Sequence, residues 1–150
     1  MEPADSKARA AVRERLDETL FFEAGAGSGK TSCLVDRYVA LVESGMPAER
    51  IAAITFTEKA AGELADRVRT RLQERSIESD ACRRGLESLD RSAICTLHAF
   101  AQRILSENPI EAGLPPRISV LDEITSQLDF ESRWEGFFDR MLEELSLIHI

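Results

Sequence analysis

Positions 24–31 of the chain read Ala24-Gly25-Ala26-Gly27-Ser28-Gly29-Lys30-Thr31 and follow the apolar run Thr19-Leu20-Phe21-Phe22. Three glycines within five positions let the backbone turn sharply and direct successive N–H groups at one point. Lys30 adds a mobile positive charge, and Thr31 adds a hydroxyl in the first turn of a predicted helix. This combination is typical of a loop that binds a nucleoside triphosphate, with Lys30 at the β and γ oxygens and Thr31 at Mg²⁺. Ala24 stands where the strict pattern has glycine.

The segments around this loop alternate between short apolar runs and longer amphipathic stretches. The apolar runs predict strands at 19–23, 51–56 and 93–95. Helical spacing predicts helices at 6–17, 30–44, 58–75, 97–106 and 122–145, with a polar helix or loop over 80–90. Phe100, Ile104 and Leu105 are expected to face inward. The near-continuous apolarity of 51–56 favours a strand covered on both faces. We therefore predict an α/β fold with a parallel sheet, helices on both faces, and a ligand at the carboxyl ends of the strands.

Composition narrows the class of protein. A chain of 150 residues with 43% hydrophobic residues corresponds to about one globular domain. No apolar run approaches the ~20 residues of a membrane span, and the first residues lack the pattern of a signal peptide. The three cysteines have no metal-ligand spacing, and reduced thiols predict the cytoplasm. The net charge of −8 argues against a broad polyanion-binding surface but allows a local one.

Two further strand ends carry polar and aromatic residues. Phe56 and Thr57 follow the second predicted strand, and Thr96 and His98 follow the third. Threonine and histidine can donate hydrogen bonds to phosphates, and a phenylalanine ring can stack on a base. Each residue alone has an ordinary interpretation, since threonine commonly caps a helix and a lone histidine is commonly structural. The arginines along helix 58–75 are interpreted in the same way, as a solvated face.

Three segments, EAGAGSGKT, ITFTEKAAGELADRVR and TLHAFAQRIL, closely resemble motifs I, Ia and Ib of the UvrD/RecB-like superfamily 1 DNA helicases in order and spacing. Glu23 and the connector GLPPRISVLDE are most similar to the RecB/AddA exonuclease-V branch. The resemblance covers nearly the whole chain, from about residue 5 to residue 142.

The resemblance implies a P-loop NTPase with a RecA-like sheet, which couples ATP hydrolysis to 3′-to-5′ movement on single-stranded DNA in repair or recombination. By position, residues 24–31 would wrap the triphosphate, with Lys30 as the catalytic lysine and Thr31 as a ligand of Mg²⁺. Phe56, Thr57, Thr96 and His98 would line the groove for single-stranded DNA. The RecB branch also implies a partner, which would be a second helicase or nuclease subunit.

The sequence departs from the family pattern in two respects. The glutamine that commonly reads adenine is missing from the first helix, where Arg9 is a candidate substitute. The DExxQD and GDxxQ segments are also missing from these 150 residues. We therefore expect residues 1–113 to be part of motor domain 1A, 114–144 to begin the inserted subdomain 1B, and 145–150 to be a non-native tail. Such a fragment should bind nucleotide weakly and hydrolyse it little.

Two alternatives stay open at this point. Ile118-Ser119-Val120-Leu121-Asp122-Glu123 has the form of a Walker B strand, so the chain could be a complete small P-loop NTPase that uses Asp122 and Glu123. It could instead be a non-enzymatic module that binds nucleotide or DNA. The intact Lys30-Thr31 pair argues against that second alternative.

Overall fold

The computed structural model describes residues 6–23, 25, 27, 29–115 and 121–146. The chain divides into two compact units, Met1–Ile104 and Leu105–Ile150. Residues 118–120 of the Walker B candidate and the last residues of the expected tail, 147–150, lie outside the described part. Within the described residues, no helix has the length and apolarity needed to cross a membrane.

Helices account for most of the described structure and confirm the helical predictions. They are α1 (Ser6–Glu14), α2 (Lys30–Glu43), α3 (Glu58–Arg75), α4 (Asp80–Glu87), α5 (Leu97–Glu107) and α6 (Glu123–Ser146). Short 3-10 turns occupy Ala48–Arg50 and Leu89–Arg91. Helix α1 ends at Glu14 instead of continuing to residue 17, and the polar stretch after α3 forms α4 and the second 3-10 turn.

The sheet of the described residues has two strands, β1 (Ala52–Thr55) and β2 (Ala93–Thr96). They run parallel, with Ala52 opposite Ala93 and Thr55 opposite Thr96, so the predicted parallel pairing is confirmed. The connection between them contains α3 and α4, as parallel strands require a crossover. The wider RecA-like sheet stays a prediction.

The predicted strand at 19–23 is wrong, because these residues have no regular secondary structure. A strand exists only through hydrogen bonds to a neighbour, and β1 and β2 pair with each other. The side chains still alternate: Phe21 is 92% exposed, whereas Leu20 and Phe22 line a hollow beside α2. Residues 20–22 therefore show the alternating exposure that is typical of a strand, but they do not form the hydrogen bonds of a sheet.

The core of the first unit lies between α2, α3, α4 and the sheet. Its buried residues are Val35, Tyr38, Val39, Val42, Ile51, Ala53, Leu64, Val68, Leu72, Cys82 and Leu89. In β1, Ala53 is buried whereas Ala52 is exposed and Ile54 is 37% exposed. The expectation that both faces of this strand are covered is thus wrong for the described residues, since helices cover one face only.

Helix α3 follows its prediction closely, whereas α5 does not. Thr57 caps α3, its Oγ1 accepting a hydrogen bond from Ala60 N at 3.2 Å. The apolar stripe of α3 enters the core at four-residue and three-residue steps. In α5 no residue is buried, and Ile104 and Leu105 are 46% and 40% exposed. The inward orientation is therefore wrong for Ile104 and Leu105, whereas Phe100 is half-buried.

Candidate nucleotide site and the neighbouring strand ends

Two described glycines of the loop have the left-handed backbone that is typical of phosphate-binding turns. Gly27 and Gly29 have φ angles of +76° and +87°, a left-handed conformation that a residue with a Cβ adopts only at a cost. Gly29 is the N-cap of α2, and the helix therefore begins at Lys30 itself. The site residues Ala24, Ala26 and Ser28 lie outside the described residues. The described glycines direct the chain into the N-terminus of α2, where backbone N–H groups lack helical partners.

Lys30 lies back across the loop. Its Nζ donates a hydrogen bond to the carbonyl oxygen of Gly25 at 3.2 Å, so the ammonium group lies against the turn. A lysine side chain is flexible and carries three rotatable donors, so this ammonium group is suited to exchange the carbonyl for a phosphate oxygen. The positive end of the α2 dipole reinforces the charge. This arrangement fits a polyphosphate.

Thr31 supplies the hydroxyl expected of a magnesium ligand. It is exposed in the first turn of α2, one residue after Lys30. The described residues contain no group of three histidine, cysteine, aspartate or glutamate side chains that could bind a metal by themselves. A Mg²⁺ ion at this loop would instead be held by the Thr31 hydroxyl and by phosphate oxygens, and the donor set fits that arrangement.

A hollow of about 240 Å³ lies next to the loop. It is lined by Val12, Leu20, Phe22, Lys30, Cys33, Leu34 and Arg37. Its walls come from α1, from the segment before the loop and from α2. Another hollow of about 310 Å³ lies between α2 and α3, where Arg71 forms ion pairs with Asp36 and Glu74. Because these charges are already paired with one another, the loop stays the candidate for the nucleotide site.

The strand ends that carry the predicted DNA-contacting residues lie side by side. Thr55 and Thr96 are register partners, so the segments that follow β1 and β2 leave the same edge of the sheet. Phe56 is 96% exposed, and Thr57 is exposed while it caps α3. These two segments therefore begin close together, at the carboxyl ends of the two strands. Their contact with DNA stays a prediction.

Thr96 has internal partners. Its side chain is 6% exposed, and its Oγ1 donates to Glu58 Oε1 at 3.0 Å and accepts from Ala99 N at 3.3 Å. It therefore caps α5 and joins that helix to the first turn of α3. His98 is exposed in the first turn of α5. Sequence reasoning missed Glu58, because an acidic residue after a capping threonine has an ordinary explanation at a helix N-terminus.

The basic face of α3 consists largely of paired charges. Arg69 lies 2.7 Å from Asp90, and Arg75 lies 3.3 Å from Glu43. Arg71 contacts two acids, as described above. Exposed pairs of this kind contribute little to stability. They support the interpretation of this surface as a solvated helix face.

Asp122 is the cap of α6. Its Oδ1 accepts a hydrogen bond from Thr125 N at 2.7 Å, and this backbone N–H lowers the pKa of the carboxyl group. Glu123 is the first residue of α6. A carboxylate that caps a helix in this way has an ordinary structural role. The Walker B interpretation of this pair is therefore not favoured.

All three cysteines are free thiols, of which Cys33 and Cys82 are buried. Burial raises the pKa of Cys82, which keeps it protonated and unreactive near neutral pH. The two buried side chains act as small apolar residues of the core.

Comparison with known proteins gives one consistent family. The family model of the UvrD/REP helicase N-terminal domain matches residues 4–147. The chain is 33% identical over 130 residues to an ATP-dependent helicase/nuclease subunit of Pediococcus pentosaceus, covering 83% of this chain and 10% of the relative. It is 32% identical over 150 residues to the same subunit of Limosilactobacillus reuteri, covering 95% of this chain and 10% of the relative. The corresponding protein of Heliobacterium modesticaldum is 32% identical over 123 residues, which is 80% of this chain and 9% of that protein. The chain thus spans about a tenth of the length of these relatives.

Proposed function

The chain belongs to the UvrD/REP helicase N-terminal domain family, and we propose that it forms the ATP-binding part of a 3′-to-5′ DNA helicase or translocase. The RecB/AddA type of this motor acts in DNA repair or recombination. In this proposal residues 1–113 belong to motor domain 1A and residues 114–144 begin subdomain 1B.

One observation carries the proposal. Two left-handed glycines lead into the N-terminus of α2, and Lys30 Nζ lies 3.2 Å from the Gly25 carbonyl oxygen within that turn. A lysine held over a turn of this kind serves to bind a polyphosphate. The names of the relatives, which are ATP-dependent helicase/nuclease subunits, support ATP as the nucleotide.

Each residue of the proposed site has a specific task. The loop over 24–29 would hold the phosphates, Lys30 would neutralise the β and γ oxygens, and Thr31 would bind Mg²⁺. Hydrolysis of ATP supplies the free energy for movement along DNA. Phe56 would stack on a base of single-stranded DNA, and Thr57 and His98 would contact its backbone.

Thr96 would serve this surface by holding α5 against α3. Its buried hydroxyl already bonds to Glu58 and to a backbone N–H group. A Thr96 contact to the DNA backbone itself, as the family resemblance implies, would require its hydroxyl to exchange one of these partners. The exposed Phe56 and His98 can reach DNA without such a change.

Hydrolysis by these 150 residues alone should be slight. The sequence contains no DExxQD segment, and Asp122 is engaged as a helix cap. We propose that the chain binds nucleotide but lacks a carboxylate that orients the attacking water. We also propose that its partner is a second helicase or nuclease subunit, and that its location is the cytoplasm, where three free thiols remain reduced.

Titration calorimetry with MgATP tests the nucleotide site. Wild-type protein and Lys59→Ala should bind alike, because Lys59 lies on the exposed side of α3. Lys30→Ala should lose binding, since the charge over the turn is gone. Equal affinity of Lys30→Ala and Lys59→Ala would refute the site. Robust hydrolysis stimulated by single-stranded DNA would refute the proposed lack of turnover.

A further inference from the structure

The guanidinium group of Arg37 in α2 holds the end of α1. Arg37 donates to four backbone carbonyl oxygens at the end of α1 and just beyond it: Val12 at 3.0 Å, Arg15 at 3.1 Å, Leu16 at 3.4 Å and Glu18 at 3.1 Å. The last carbonyls of a helix have no intrahelical partners, and arginine carries five donors in a rigid fork. Arg37 therefore fixes the position of the end of α1 relative to α2, the helix that follows the glycine loop.

A second arginine, Arg9, contacts the loop from α1, about one helical turn before Val12. Arg9 precedes the buried Val12 by three residues, so both lie on the side of α1 that faces α2. Arg9 Nη1 donates to Cys33 Sγ at 3.9 Å. A Cβ placed on Gly29 would lie 3.3 Å from Arg9 Nη1 and 3.4 Å from Nη2. The guanidinium group thus lies against the last glycine of the loop, immediately before Lys30.

We propose that Arg9 is a second phosphate-binding cation of the nucleotide site and that Arg37 is the residue that positions it. This inference rests on the proposed function and deepens it. A guanidinium group can make two parallel hydrogen bonds to phosphate, which an ammonium group cannot. Because Arg9 lies where the loop enters α2, it is at the phosphate end of the site. It therefore acts on the triphosphate and does not replace the glutamine that reads adenine.

Binding of three probes distinguishes a phosphate contact from a base contact. MgATP, MgGTP and magnesium tripolyphosphate are titrated into wild-type protein and into Arg9→Ala by calorimetry. We expect about 10- to 100-fold weaker binding of all three probes to Arg9→Ala, the range for one lost hydrogen bond to a charged group. Arg9→Lys should recover part of the affinity, because it keeps the charge and loses the fork. Arg13→Ala removes an exposed arginine of the same helix and should bind like wild type.

The Arg37 role is tested by a double-mutant cycle. If Arg37 acts through Arg9, Arg37→Ala weakens binding in the wild-type background and has no further effect in the Arg9→Ala background. A merely structural loss would weaken binding equally in both backgrounds and would overturn the positioning role.

The outcomes separate this inference from the proposed function. If Lys30→Ala abolishes binding while Arg9→Ala leaves all three affinities unchanged, the inference is wrong and the nucleotide site stands. A loss confined to MgATP would assign Arg9 to the base and would also overturn the inference. If wild-type protein binds none of the probes, the proposed function is wrong and Arg9 has no phosphate to bind.

Discussion

Replacing Gly29 by alanine tests whether the loop holds the left-handed backbone on which the proposed nucleotide site depends. Gly29 has φ +87°, where an alanine costs about 1–2 kcal/mol. The new Cβ would also press on the Arg9 guanidinium group at 3.3 Å, a contact that a flexible side chain can relieve. We therefore expect Gly29→Ala to lower the free energy of unfolding by about 1–2 kcal/mol, nearly all of it from the backbone.

Two other glycines serve as matched controls. Gly27 has φ +76° with nothing within 4 Å of its added Cβ, so Gly27→Ala isolates the backbone cost. Gly62 lies inside α3 with open space around its added Cβ. Because alanine is the better helix former, Gly62→Ala should raise the free energy of unfolding by about 0.5–1 kcal/mol.

Urea denaturation followed by far-UV circular dichroism measures these differences. Gly29→Ala and Gly62→Ala should differ by about 2 kcal/mol, which corresponds to a separation of about 1 M between their midpoints. Saturating MgATP should stabilise Gly62→Ala as it does wild type and should stabilise Gly29→Ala much less. Coincident midpoints for the two variants would refute the left-handed conformation of Gly29.

Three further predictions concern the strand ends and the core. Phe56→Ala should weaken binding of single-stranded DNA by about 5- to 100-fold through the loss of base stacking, measured by fluorescence anisotropy, and leave stability unchanged. Phe21→Ala removes another ring that is 92% exposed and serves as the control, and an equal loss in both variants would contradict the stacking role. Thr96→Val should lower the free energy of unfolding by about 1–2 kcal/mol because it removes the cap of α5 and the hydrogen bond to Glu58. Thr96→Ser should retain most of the stability of wild type, and equal stability of the two variants would count against the cap. Burial raises the pKa of Tyr38, so the folded state keeps a proton that the unfolded chain releases above about pH 10. The protonated phenol therefore contributes stability that is complete below the unfolded pKa and is lost as the pH rises through the folded pKa. Tyr38→Phe should therefore lose less stability than wild type at alkaline pH. Since the chain has one tyrosine, phenolate absorbance measures the pKa of Tyr38 directly, and an unshifted pKa would contradict this prediction.

Local sequence patterns predicted the elements whose formation depends on neighbouring residues. The apolar spacing of α2 and α3 and the capping role of a threonine such as Thr57 are properties of a few adjacent positions. The same holds for the glycine loop, because positive φ angles are a property of glycine itself. The parallel pairing of β1 and β2 followed from the length of the helical connection between two apolar runs.

Three of the wrong predictions depend on the position of a second element. Residues 19–23 have the composition of a strand but no ladder, and Ile54 on β1 and Ile104 on α5 have apolar side chains without a covering layer among the described residues. An apolar side chain gains free energy from burial, but burial requires a second element that packs against it. The spacing of apolar residues along the chain does not specify where that second element lies.

The sequence by itself determined the glycine loop of this protein, since Gly27, Gly29 and Lys30 lie within four positions and their backbone freedom and charge follow from residue type. Only the tertiary structure decided which residues distant in the chain contact one another. Arg37 reaches carbonyl oxygens between 19 and 25 positions earlier in the chain, and Thr96 reaches Glu58 across 38 positions. The physical reason is that such contacts depend on how the helices dock. Arg9 lies against Gly29 because α1 is fastened to α2, and no spacing along the chain encodes that approach.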